Sequence, residues 1–159
     1  VAFRGYPCHH GDMDLGLQGR VAMVAAASKG IGLAIAKALA EEGALVSICA
    51  RDEAHLEEAA AFIHPDTRTY VVDVADGDDL RWWHEQTVAD LGTPTILVTN
   101  TGGPPAGTLD EVDEAKWRAG IDLTLLNVIR LTELVKDGMR TRGFGRIVHV
   151  SSLVATEPN

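Results

Sequence analysis

The sequence has few cysteines and no long hydrophobic run, and these shortages exclude several classes of protein. Its two cysteines in 159 residues, Cys8 and Cys49, have no spacing typical of a disulfide framework or a metal site. A reduced intracellular compartment fits such a chain best. No apolar stretch reaches the roughly 18 residues of a membrane span, and the first residues do not resemble a signal peptide. We therefore expect a cytoplasmic protein with no membrane partner.

Positive charge is also scarce, with 14 basic against 23 acidic residues and a net charge of -9. Without a basic stripe, nucleic acids and anionic membrane surfaces are not expected as partners. The length suits one compact domain, which we place at 13–159 after an irregular tail at 1–12. In that tail His9 and His10 stand beside Cys8, but without a fourth ligand an upstream extension or a vector-derived remnant is favoured over metal binding. No metal site is predicted.

What the sequence does contain is an alternation of short apolar runs and helix-patterned segments. Helical patterns separate the runs, and the last is a long helix from about Val112 to Met139 with apolar residues at three- and four-residue steps. Such alternation requires a parallel sheet covered on both faces and joined by right-handed crossovers. The sequence therefore predicts an α/β class, doubly wound parallel sheet of the Rossmann type. The five predicted strands are Arg20–Val24, Ala44–Ala50, Thr69–Val74, Thr95–Thr99 and Arg146–Val150.

The turn after the first predicted strand has the composition of a phosphate-binding loop, and we call residues 25–32 the glycine loop. A strand that turns abruptly into a helix presents unpaired N–H groups and the positive end of the helix dipole to a pyrophosphate. Gly30 and Gly32 hold the second and third glycine positions of such a loop, and Ala26 holds the first. A glycine pair before a helix can also be only a turn. The expected cofactor contacts here are Ala26, Ser28, Lys29, Gly30, Ile31 and Gly32.

The residue that follows the second strand indicates which dinucleotide is bound. At this place an acid accepts hydrogen bonds from the ribose of NAD, whereas a base neutralises the additional phosphate of NADP. The chain has Arg51 there, and Lys29 of the glycine loop can reach the same phosphate. Either cation alone has the alternative of a solvated surface charge, and the neighbouring Asp52 is best interpreted as a helix cap. Together the two cations favour NADP(H).

With these residues in hand, the chain resembles the short-chain dehydrogenase/reductase family from Leu17 to its end. The family's glycine-rich loop, Thr-Gly-x-x-x-Gly-Ile-Gly, is matched at 25–32 with alanine in both leading positions. Its Asp-Val is matched at 73–74, and its Asn-Asn-Ala-Gly resembles Thr-Asn-Thr-Gly at 99–102. Its Gly-Arg-Ile-Val-x-x-Ser-Ser is matched at 145–152. Within the family, the residues at 28–32 and 145–148 are similar to those of 3-oxoacyl-[acyl-carrier-protein] reductases.

The resemblance implies hydride transfer between a nicotinamide and a small carbonyl, alcohol or acyl-thioester substrate. It implies that Asp73 binds the adenine amino group, that Val74 supplies a backbone contact, and that Ser152 positions the substrate oxygen. Asp73 has the alternative of capping the following turn. The family's tyrosine and lysine follow a dozen or more residues after the serine and would fall beyond Asn159. Along the ribose and nicotinamide we expect Asn100, Thr101 and Gly102.

One departure from the family leaves the function open. The family's helix asparagine, which organises a proton relay, falls at Thr124, and Asn127 lies one turn later. Three interpretations remain: an NADP(H)-dependent oxidoreductase, a non-catalytic NADP-binding or sensing module, and an inactive fragment of a longer reductase. In the last case the Rossmann domain is truncated after its first five strands. The resemblance also implies a homodimer or homotetramer that pairs through the helix at 112–139.

Overall fold

The computed structural model of the protein describes residues 15–152. The predicted tail, with Cys8, His9 and His10, lies outside the described residues. Five parallel strands form one sheet in the order β3-β2-β1-β4-β5. This confirms the predicted doubly wound, Rossmann-like fold. The strands are β1 (Val21–Val24), β2 (Leu45–Ala50), β3 (Arg68–Val71), β4 (Pro94–Thr99) and β5 (Arg146–His149).

Aspartate side chains start three of the helices. Asp52, Asp76 and Asp113 are N-cap residues whose carboxylates accept hydrogen bonds from backbone N–H groups of the following turn. These bonds satisfy donors that a helix leaves unpaired at its start. The acidic run at 76–79 therefore begins a helix. The helices are α1 (Gly30–Glu41), α2 (Glu53–Ile63), α3 (Gly77–Leu91), α4 (Glu114–Ile121) and α5 (Asn127–Arg142).

The predicted long helix from about Val112 to Met139 is present as a continuous helical segment from Glu114 to Arg142, but it contains a π-helical turn that the sequence did not predict. The structure has α4, then a π-helical turn at Asp122–Leu126, then α5. The Thr124 hydroxyl donates to the carbonyl of Gly120 at 2.7 Å, and the Asn127 amide donates to the carbonyl of Leu123. Side-chain bonds to carbonyls four residues earlier compete with the regular helical ladder. Such π turns inside α-helices are frequent at functional sites.

Helices cover both faces of the sheet, and each face has its own apolar cluster. One cluster joins alternate residues of β1, β2 and β4 to α1 and α2, through Ala36 and Leu56 for example. The other joins the intervening residues to α3 and α5, through Trp83 and Leu131. All four residues of the central strand β1 are buried, as expected for a strand covered on both sides. Among residues 15–152, none of the helices is both long enough and apolar enough to cross a membrane.

Candidate cofactor site

A cleft of about 800 Å³ opens at the carboxyl ends of the strands, where the connections from β1 and β4 lead to opposite faces of the sheet. Ligands bind at this switch point in doubly wound sheets, and the volume is typical of a cofactor site. The predicted site residues that line the cleft are Ala26, Ser28, Lys29, Gly30, Ile31, Arg51, Asp73, Val74, Asn100, Thr101 and Gly102. The cleft is also lined by Ala50, Asp52, His55, Val72, Gly103 and Leu123, which the sequence did not single out for binding.

The glycine loop takes the conformation that its glycines were expected to permit. Gly30 has φ +61°, and Ala26 has φ +48° although it carries a side chain. Gly32 does not line the cleft, because it packs under the loop. A Cβ at Gly32 would lie 2.7 Å from the Ala26 carbonyl oxygen and 2.8 Å from Asn100 Nδ2. Gly32 therefore allows the loop to pack closely against Asn100, and it does not line the cleft.

The start of α1 has features that suit an anion. Its N-cap residue, Lys29, is extended and makes no side-chain capping bond, and the first turn of the helix contains no acidic residue. The positive end of the helix dipole therefore has no compensating charge from these side chains. Backbone donors at such a helix start are suited to a phosphate group. The residues present thus fit the pyrophosphate of a dinucleotide.

Asn100 holds the glycine loop in place from the neighbouring strand. Its side-chain amide donates to the carbonyl of Ala26 at 3.1 Å and to that of Ala25 at 3.4 Å. Next to it, Thr101 Oγ1 is buried and has no hydrogen-bond partner among the described residues. Buried hydroxyl groups are normally paired, so this unpaired oxygen is an exception at the edge of the cleft.

The loop after β3 is held by hydrogen bonds of its own. The Asp73 carboxylate accepts from the N–H of Ala75 at 3.0 Å, while the Asp73 N–H donates to Asp79 Oδ2 at 2.8 Å. Arg130 of α5 donates to the Ala75 carbonyl at 3.0 Å and to Asp122 at 3.1 Å. Asp73 therefore caps the turn that follows it, which the sequence analysis gave as the alternative to adenine binding. It also lines the cleft. These bonds position the segment that would face an adenine.

The cationic side of the cleft is formed at the end of β2 and the start of α2. Arg51 and Lys29, the two cations expected at the NADP phosphate, both line the cleft. Asp52 accepts a hydrogen bond from the N–H of His55 at 2.9 Å, which confirms Asp52 as a helix cap. The side chains of Asp52 and His55 also pair, with 3.2 Å between Oδ1 and Nδ1.

The two predicted catalytic residues do not line the cleft. Ser152 follows β5 and is exposed. The Thr124 hydroxyl is bound to the Gly120 carbonyl, and Thr124 lines a smaller groove of about 340 Å³ beside Pro104 and Trp117. Asn127 is buried, and its Oδ1 has no partner within the part of the chain that the structure describes. Only Leu123 of the π-helical turn reaches the cleft.

Comparison with known proteins identifies the family. Residues 20–159 match the model of the short chain dehydrogenase family, and the chain belongs to that family. It is 30% identical to the Haemophilus influenzae 3-oxoacyl-[acyl-carrier-protein] reductase FabG over 143 residues, which are 90% of this chain and 59% of that protein. It is 36% identical to the Paracoccus denitrificans acetoacetyl-CoA reductase over 136 residues, 84% of this chain and 55% of that protein.

A solved structure is similar throughout the described fold. L-Sorbose reductase from Gluconobacter frateurii, complexed with NADPH and L-sorbose, has a TM-score of 0.88 and 35% identity, and the match covers 92% of this chain and 57% of that one. The chain thus spans a little over half the length of these relatives. The resemblance to reductases of the 3-oxoacyl-[acyl-carrier-protein] type is confirmed.

Proposed function

We propose that this chain is the cofactor-binding part of an NADP(H)-dependent oxidoreductase that transfers a hydride between the nicotinamide and a carbonyl or alcohol substrate. The observation that carries the proposal is the cleft, in which segments from four strand ends converge on a helix start suited to phosphate. The NADPH complex of L-sorbose reductase supports the choice of cofactor. The similarity to acetoacetyl-CoA and 3-oxoacyl reductases favours an acyl-thioester substrate. A cytoplasmic location remains a prediction from the composition.

Each segment has a distinct task in this proposal. The glycine loop and the start of α1 bind the pyrophosphate, Lys29 and Arg51 bind the phosphate on the adenosine ribose, and Asp73 with Val74 faces the adenine. Asn100, Thr101 and Gly102 line the side of the ribose and the nicotinamide. When bound, NADPH supplies the hydride.

Ser152 is proposed to orient the substrate's oxygen at the carboxyl end of β5. As the hydride arrives, negative charge develops on that oxygen, and a fixed hydroxyl donor stabilises it more than it stabilises the carbonyl. The family's tyrosine and lysine align beyond Asn159.

A non-catalytic NADP-binding module is a second candidate, because of Thr124. Its hydroxyl already donates to the Gly120 carbonyl, and threonine lacks the paired donor and acceptor of the amide that the family uses here. Binding and turnover measured together separate the candidates. We expect NADPH to bind, and to be oxidised with a short 3-oxoacyl thioester by protein whose intact mass includes the family's tyrosine and lysine. Binding by that protein without turnover of thioesters, ketones or sugars would favour the module.

The cofactor preference is tested by removing one cation at a time. We expect Arg51→Ala and Lys29→Ala each to weaken NADPH binding by about tenfold, because a charge-assisted hydrogen bond to phosphate contributes about 1.5 kcal/mol. NADH binding should change little. Arg68→Ala is the control, since Arg68 is an exposed cation of β3 outside the cleft lining. Equal losses for NADPH and NADH would refute the phosphate-binding role.

We further propose that the protein forms a homodimer or homotetramer through α4 and α5. Trp117, Ile121, Leu125 and Ile129 are four residues apart and are 55%, 45%, 53% and 49% exposed, respectively. We call this set the apolar ridge. Water-exposed apolar side chains in a contiguous row are typical of a protein interface. A second copy of the chain is the partner that the family resemblance implies.

A further inference from the structure

His55 lines the cofactor cleft beside Arg51 and Asp52, and the proposed function gives it no binding task. It lies in the first turn of α2, where the N-cap bond from its own N–H to Asp52 fixes its position. Its side chain is 57% exposed, so a proton can reach it. A histidine side chain changes its charge between pH 5 and 8.

The charges around the cleft give His55 particular importance. Five ionisable side chains line the cleft: Lys29, Arg51, Asp52, His55 and Asp73. The two permanent cations are balanced by the two carboxylates, so the lining is neutral when His55 is neutral. Protonation of His55 makes it net positive. A dinucleotide with an additional phosphate benefits from that change more than one without it.

The hydrogen-bond geometry leads to the same conclusion. With Nδ1 at 3.2 Å from Asp52 Oδ1, a neutral imidazole that donates to Asp52 leaves Nε2 as an acceptor, which cannot bind a phosphate oxygen. A protonated imidazole keeps that donor and gains a second one at Nε2. It also neutralises Asp52, the carboxylate next to Arg51.

Other charged groups near α2 do not line the cleft. On α1, Lys37 lies over the ring of Phe62 and pairs with Glu41. On β3 there is Arg68, and α2 and its C-terminal end carry Glu53, Glu57, Glu58, His64 and Asp66. His55 is therefore the histidine beside Arg51 in the lining of the described cleft.

We propose that protonated His55 is a third cation of the subsite for the ribose phosphate of NADP(H), so that the preference for NADPH over NADH rises as the pH falls from 8 to 6. This inference rests on the proposed function, because it requires NADP(H) to bind in the cleft. The phosphate itself gains a proton near pH 6. The comparison must therefore be between proteins at the same pH.

The test compares the protein with its His55→Gln variant, which keeps a hydrogen-bonding side chain and loses the charge. Dissociation constants for NADPH and NADH are measured by nicotinamide fluorescence at pH 6 and pH 8. We expect the variant to bind NADPH about threefold to fivefold more weakly at pH 6, as for a partly exposed charge, and equally at pH 8. NADH binding should not change at either pH. His64→Gln is the control, because His64 is similarly exposed, lies 3.8 Å from Asp66 and does not line the cleft.

A second variant, Asp52→Asn, keeps the N-cap and removes the opposing charge. It should bind NADPH more tightly than the unmodified protein at pH 8, because a carboxylate that repels the phosphate is removed. The inference is overturned if His55→Gln changes NADPH and NADH binding equally, or changes NADPH binding by the same factor at both pH values. If the unmodified protein shows no preference for NADPH at either pH, the cofactor assignment fails together with this inference. If the preference for NADPH over NADH at pH 6 is as large in His55→Gln as in the unmodified protein, this inference alone is overturned.

Discussion

The side-chain amide of Asn100 donates a hydrogen bond to the carbonyl of Ala26 at 3.1 Å, and so ties the end of β4 to the glycine loop after β1. Two strand ends that are proposed to bind different parts of the dinucleotide are thereby held as one unit. Because Asn100 also lies against the position of a Cβ on Gly32, the loop, the helix start and β4 are mutually packed. We therefore expect both the free energy of unfolding and the affinity for the cofactor to depend on Asn100.

We expect Asn100→Ala to lower the free energy of unfolding by about 1–2 kcal/mol, because the loop carbonyls lose their donor. NADPH affinity should fall several-fold as the loop loses its fixed shape. Urea unfolding and fluorescence titration measure the two effects. Thr101→Val is the control for stability, since the buried Thr101 hydroxyl has no partner among the described residues. A Thr101→Val loss as large as that of Asn100→Ala would contradict this account.

At Ala26 we expect a substitution to raise the free energy of unfolding rather than lower it. Its φ of +48° lies in the left-handed region, where a side chain costs about 1–2 kcal/mol and glycine is not strained. Relief of this strain exceeds the entropy that glycine adds to the unfolded chain. We expect Ala26→Gly to raise the free energy of unfolding by about 0.5–1 kcal/mol, measured by urea unfolding.

The neighbouring alanine provides the control for Ala26. Ala27 is fully buried and does not have a positive φ. Ala27→Gly should therefore lower the free energy of unfolding by about 1 kcal/mol, through lost burial and added chain entropy. If both glycine variants lower stability equally, the strain at Ala26 makes no net contribution.

The sheet and the glycine loop were predictable because strong local patterns specify them. Buried parallel strands are nearly continuous apolar runs, and each was found within a few residues of its bounds in the structure. Gly30 and Gly32 likewise mark a loop whose backbone excludes most other residues. These features depend on residues that are close together in the sequence.

The interruption of the long helix and the role of His55 were missed because they depend on side-chain hydrogen bonds. Thr124 and Asn127 appear as ordinary helix residues in an apolar periodicity, and only their bonds to carbonyls four residues earlier reveal the π turn. The sequence nevertheless contains a pattern that could have placed His55 at the cleft. An N-cap aspartate at Asp52 places the third following residue beside it, and hence beside Arg51.

Cys49 should be unreactive in the folded protein. It is fully buried in β2, and burial raises its pKa to about 12. At pH 8 only about one thiol in ten thousand is then the reactive thiolate. In a Cys8→Ser variant, we expect no reaction with Ellman's reagent under native conditions and one thiol per chain in urea. Full labelling of the native variant within minutes would show that β2 is accessible.

The apolar ridge on α4 and α5 should mediate self-association. A charge placed at its centre cannot be buried against a second copy without a partner, so Ile121→Arg should shift the protein toward the monomer. Sedimentation velocity at several concentrations measures the shift. Ala119→Arg is the control, because Ala119 is exposed and lies two residues earlier on α4, about 200° around the helix. We expect it to keep the oligomer. An unchanged sedimentation coefficient for Ile121→Arg would place the interface elsewhere, and so would equal dissociation of both variants.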